Sequence, residues 1–74
     1  MEQIIYFEVK WQEDKSIPMS IKYTKFEEAK EQFNRWKNYP TCNFAVLSSW
    51  GTRYTPVTSM IDVLDVIDSY NREY

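Results

Sequence analysis

Asp62, Asp65 and Asp68 are the most regular set of ionisable side chains in the chain, three carboxylates at steps of three. On a helix such steps drift around one side, which makes an outward row and not a cage. A hard cation wants about six to eight oxygens converging from a loop or from several elements, so the row reads as a solvated outer face, with an acidic docking surface as the alternative. Other chemically capable residues are scarce. The chain has no histidine, one cysteine (Cys42) and one glycine (Gly51). The commonest general base and metal ligand is therefore missing, a thiol–imidazole pair cannot form, and there is no glycine-rich phosphate loop. These absences predict a protein that is not an enzyme, with no catalytic residue, no cofactor and no metal.

Binding is the chemistry that remains, and aromatic residues are its material. Three Trp, six Tyr and four Phe make 18% of the 74 residues. Trp50 and Tyr54 flank Gly51, beside Thr52 and Arg53. A tight hairpin turn at Gly51 would put two large rings and a guanidinium at its tip, and these residue types are enriched in binding hot spots. The competing role for Trp50 is a lid folded over the end of the core. A second candidate surface is a sheet face carrying Tyr6, Glu8, Lys10, Ser20 and Lys22, with Arg53 near its end. An open sheet with an aromatic and several bases could stack single-stranded nucleic acid, with Tyr6, Lys10 and Lys22 as contacts.

These side chains must be positioned by a small number of elements. From Gln3 to Trp11, Ile5, Phe7, Val9 and Trp11 alternate with Ile4, Tyr6, Glu8 and Lys10, the period of a strand. Met19, Ile21 and Tyr23 form a second strand after the polar break 12–16, and the short connection predicts an antiparallel hairpin. Thr24-Lys25-Phe26-Glu27 reads as a capping box opening a helix. Phe26, Ala29, Phe33 and Trp36 supply its apolar stripe, Glu31 and Arg35 an outer pair, and Asn38-Tyr39-Pro40 its end. Glu27 and Glu28 suit the first turn of that helix. Thr41 to Trp50 is a third strand, with Cys42, Phe44, Val46 and Trp50 on one face and Asn43, Ala45 and Leu47 on the other. Arg53 to Val57 would be a short fourth, with Pro56 at an edge. Thr58 or Ser59 can cap a second helix, along which Met60, Val63, Ile67, Tyr70 and Tyr74 step by three and four. Ile61 to Ile67 is rich in β-branched residues, which keeps a strand open for part of that segment.

The expected fold is α+β in the order ββαββα, a four-stranded mainly antiparallel sheet with two helices packed on one face. It forms one domain over residues 1–74. The second helix carries more apolar surface than one sheet face covers, which predicts a weak homodimer opposed by the aspartate rows.

Charge and cysteine usage bound the rest. The net charge is −2, with seven acids and seven bases in residues 1–40, and four acids against Arg53 and Arg72 beyond them. Non-specific nucleic-acid binding normally comes with a basic field, which this balance lacks. A lone cysteine forms no internal disulfide, and Met1-Glu2-Gln3 opens without a basic and apolar leader. Together with the lack of a long apolar run, these features predict a cytoplasmic protein with no membrane segment. In bulk character the chain looks like a small accessory or inhibitor protein of a phage or mobile element. The leading expectation is a module that binds and modulates a larger protein through Trp50, Arg53, Tyr54, Asp62, Asp65 and Asp68.

Overall fold

The computed structural model describes residues 3–54 and 59–72. Its elements are β1 (Gln3–Glu13), β2 (Met19–Tyr23), α1 (Phe26–Lys37), β3 (Cys42–Tyr54) and β4 (Ser59–Asn71). All neighbouring strands are antiparallel and the sheet order is β2-β1-β3-β4. The four-stranded antiparallel sheet is as expected. The second helix is not: 59–71 is a strand, so the order is ββαββ and one helix covers the sheet. The short strand expected at 53–57 is replaced by the end of β3, and the expectations for Pro56, Thr58 and Tyr74 lie outside the described residues.

Register explains the false helical period. Asp68 pairs with Leu47 and Val66 with Ser48, then Asp65 with Ser49 and Val63 with Trp50. Ile67 and Leu64 are each skipped, so β4 carries two irregularities three residues apart. Each inserts one residue into a two-residue repeat, and the apolar spacing becomes three. The composition agrees with the strand, since Ile61, Val63, Val66 and Ile67 are β-branched.

Two further irregularities reset the faces elsewhere. Between Gln12 and Glu13 of β1, the partner shifts from Phe44 to Cys42 and skips Asn43. Cys42 therefore faces the helix together with Ala45 and Leu47, whereas Phe44, Val46 and Trp50 face the opposite side. That corrects the expected grouping of Cys42 with Phe44, Val46 and Trp50. Ile5 is skipped likewise, between Ile4 paired with Gly51 and Tyr6 paired with Trp50. Gly51 itself is no turn residue. It lies within β3, pairs with Ile4 and Asp62, and has no positive φ.

α1 packs on β3, β1 and β2. The core between them consists of Val9, Trp11, Ala29, Phe33, Cys42, Ala45 and Leu47, joined by half-buried Phe7, Tyr23, Phe26, Trp36 and Tyr70. Phe7 meets Phe26 edge to face at 5.5 Å, and Trp11 stacks on Trp36 at 4.5 Å. The radius of gyration is 13.7 Å, against about 11 Å for a compact chain of this length. The long β3 and β4 strands account for the difference. At their other end Arg72 Nη1 donates to both carboxylate oxygens of Asp14, at 3.1 and 2.9 Å, tying β4 to the β1–β2 connection.

The helix begins one residue later than the capping box would have it. Lys25 is the N-cap, in extended geometry (φ −110°, ψ 131°), and no side chain caps the first turn. Thr24 is exposed and one step too early to reach the free N–H groups. Thr24→Ala should therefore leave the melting temperature unchanged. Lys25→Ser should raise stability by about 0.5–1 kcal/mol, because a serine there can cap the N–H of Glu28 while Glu28 reaches back. Thermal melts of both variants check the pair of expectations; a drop in Thr24→Ala would restore the earlier helix start. The C-terminal end is as expected, with Asn38 N–H bonded to the Asn34 carbonyl, although Asn38 stays outside the left-handed region (φ −93°). The expected Glu31–Arg35 pair forms at 3.8 Å, largely in solvent, where it contributes little.

Candidate functional site

With one helix on a four-stranded sheet, the other sheet face is left open, and register places its residues in cross-strand rows. Tyr6, Trp50 and Val63 make one row; Lys22, Glu8, Ser48 and Val66 make the next. Ser20, Lys10, Val46 and Ser69 follow, then Gln12, Phe44 and Asn71. The β1–β2 half of this face thus holds Lys10, Lys22 and Glu8. The β3–β4 half holds no charge in these rows.

Tyr6 and Trp50 are its centre. Their rings lie parallel (9° between planes) with centroids 6.0 Å apart, the offset geometry that aromatic quadrupoles favour. Trp50 Nε1 donates to Ser48 Oγ at 3.0 Å, and the Lys22 ammonium sits 4.9 Å from the Tyr6 ring centroid. The stack is fixed before any ligand arrives: the indole N–H has its acceptor, and a cation–π contact holds the tyrosine. Both rings are half-buried. Trp50 is thus neither at a hairpin tip nor a lid over the core. Arg53 and Tyr54 occupy the last positions of β3, paired with Met60 and Ser59; their side chains, and with them the expected aromatic–arginine patch, lie outside the described residues.

Asp62, Asp65 and Asp68 keep their common side, for a different reason than the expected helix. Their partners are Gly51, Ser49 and Leu47, alternate residues of β3, so the three carboxylates line the helix-side face of the edge strand. On β1 these rows continue through Ile4, Phe7 and Val9, the latter two reaching Tyr23 and Ile21 of β2. The aspartates are exposed. Asp62 accepts the backbone N–H of Val63, and Asp68 that of Ser69, each at 2.8 Å. Two of the three carboxylates therefore hold backbone beside the strand irregularities. Among the described residues no group of acids, cysteine or histidine is placed to hold a metal ion.

Cys42 sits in the core with its Sγ donating to the Phe44 carbonyl at 3.2 Å, and burial pushes its thiol pKa up. That is the environment of an inert thiol. No helix among the described residues is long and apolar enough to cross a membrane.

The sequence pattern placed Tyr6, Lys10 and Lys22 on one face, and register confirms that grouping. It missed the apolar members of the same face: Phe44, Val46, Val63 and Val66. The signal that could have found Val63 and Val66 is the β-branched content of 61–67, read as strand; Phe44 and Val46 are misplaced by the skip at Asn43. The chain matches no family model, no curated protein and no solved structure.

Proposed function

We propose that this chain is a non-enzymatic interaction module that binds and modulates a larger protein partner through the open face of its sheet. The preformed Tyr6–Trp50 stack carries the reading. Its rings are ordered by each other, by Ser48 and by Lys22, so little side-chain entropy remains to be lost on binding. Exposed Val66 lies in the next row, and aromatic anchors among aliphatic neighbours are what protein interfaces concentrate. Asp62, Asp65 and Asp68 lie around the edge of β4, where they would steer a basic rim of the partner.

A second reading has one observation in its favour: Lys10 and Lys22 share the face with the stack. Single-stranded nucleic acid laid across it would stack on Tyr6 and Trp50 and place phosphates on the lysines. Glu8 lies between those lysines in the register, and the β3–β4 half offers no cation in the described rows, so the protein reading is preferred.

The double substitution Tyr6→Ser, Trp50→Ser tests it. The variant should keep its far-UV spectrum and lose about 1–2 kcal/mol of stability from the cross-strand pair. It should also fail to retain the protein that the immobilised parent captures from lysate of its source cells. Equal retention by both would exclude this face. Binding of a thymidine oligonucleotide that weakens steeply with salt would transfer the face to the second reading.

A further inference from the structure

We propose that the uncharged β3–β4 half of the open face associates with a second copy of the same chain. This goes beyond the partner reading and does not rest on it, since it concerns the purified chain alone. The half-face runs from Ile61 past Val63 and Trp50 to Val66 and Val46, and Ile61 and Val66 are 56% and 55% exposed.

The arrangement of charge selects the occupant. A foreign protein of opposite charge has nothing to recognise on a stripe without ions. A two-fold axis through the middle of the stripe brings the apolar half-faces together and sends each copy's Lys10, Lys22 and Glu8 to opposite flanks. No like charges then meet across the contact. The aspartates lie on the helix side of β4, away from the contact, so the repulsion that a β4-centred dimer was expected to suffer does not arise. Sheets pack face to face at about 10 Å, and no pocket opens among the described residues.

Area sets the strength. Five alternate positions on two strands make a strip of about 27 by 10 Å. With its rims, such a contact removes about 800–1,000 Å² from both copies together, below the about 1,200 Å² of a stable specific interface. The dimer is accordingly weak and dissociates on dilution, which leaves the face available to a larger partner.

Sedimentation equilibrium of the purified chain from about 10 μM to about 1 mM decides it. The average mass should climb from monomer towards dimer, and it should do so at high salt as well as low. Val66→Glu and Ile61→Glu should each retain the parent's spectrum and weaken association at least about tenfold. Ile17→Glu, at a 76% exposed position in the β1–β2 connection, should associate like the parent. A chain that stays monomeric throughout overturns the proposal. So does a dimer that survives both β4 substitutions, one lost equally in Ile17→Glu, or one that forms only at low salt. Should Val66→Glu unfold, the association of Ile61→Glu decides alone. Equal partner capture by the parent and the Tyr6→Ser, Trp50→Ser variant, with the dimer intact, would count against the functional reading alone.

Discussion

Gly51→Ala is expected to lower stability by about 2–3 kcal/mol, the range of overpacking against atoms that cannot rotate away. Gly51 pairs with Ile4 on one side and Asp62 on the other, next to the irregularity at Ile5. A Cβ built at Gly51 would collide with the Gln3 carbonyl oxygen and lie 2.8 Å from the Gln3 carbonyl carbon and 2.9 Å from Ile4 Cα. All three are backbone atoms. The start of β1 must therefore peel from β3, taking the support of Tyr6 with it. For a domain of this size the melting temperature should fall by about 8–20 °C. Gly51→Asn separates this cause from a turn. In a left-handed turn asparagine is a mild replacement; against a backbone wall it is at least as harmful as alanine. A melting temperature unchanged in Gly51→Ala, or an asparagine variant better than the alanine one, would refute the close-approach account.

Gly51 also shows where local pattern is informative and where it is not. A lone glycine after a run of alternating residues fits a hairpin turn and a close strand approach equally well, and only the long-range partner, Gln3–Ile4, decides between them. The same holds for 59–71. Local spacing of three and four is the helical period, but two irregularities in a strand produce it too. Their position depends on pairing with β3, which no local pattern encodes. Where local forces dominate, pattern and structure agree: alternation in β1 from Tyr6 to Trp11, the β1–β2 hairpin, the stripe of α1 and its end at Asn38 are all present. The cap failed because Thr24 and Lys25 differ by one residue, the usual uncertainty of a helix boundary.

The candidate face was half legible for a related reason. Tyr6, Lys10 and Lys22 sit in stretches without interruption, so parity put them together. Trp50 lies beyond Asn43, the skipped residue that separates Cys42 from the rest of β3, and that skip reverses parity for everything beyond it. Counting from Cys42 therefore put Trp50 on the core side when it belongs to the open face. The stack with Tyr6 follows from the pairing, and its proposed role as a preformed anchor follows from the stack.

Phe33→Ala is expected to be the most damaging single truncation, costing about 3–5 kcal/mol. Phe33 is 1% exposed and is among the largest fully buried side chains, enclosed with Val9, Leu47 and Cys42. The fully buried set is small, and one helix closes it from above, so neighbours have little freedom to collapse into the vacated space. A domain of this length has a total stability of about 4–11 kcal/mol, and the loss takes up a large part of it. The variant should be partly or wholly unfolded at 37 °C, with Cys42, now unprotected, reacting rapidly with a thiol reagent. Phe33→Leu, which keeps most of the volume, should recover more than half of the loss. The contrast with Trp50 is the point of the measurement. Two large aromatic residues are assigned to opposite faces, one closing the core and one waiting for a partner. Truncating Phe33 should therefore destroy the fold, while truncating Trp50 should leave it standing and remove binding. If Phe33→Ala melts within a few degrees of the parent while Trp50→Ser unfolds, the two faces have been assigned the wrong way round.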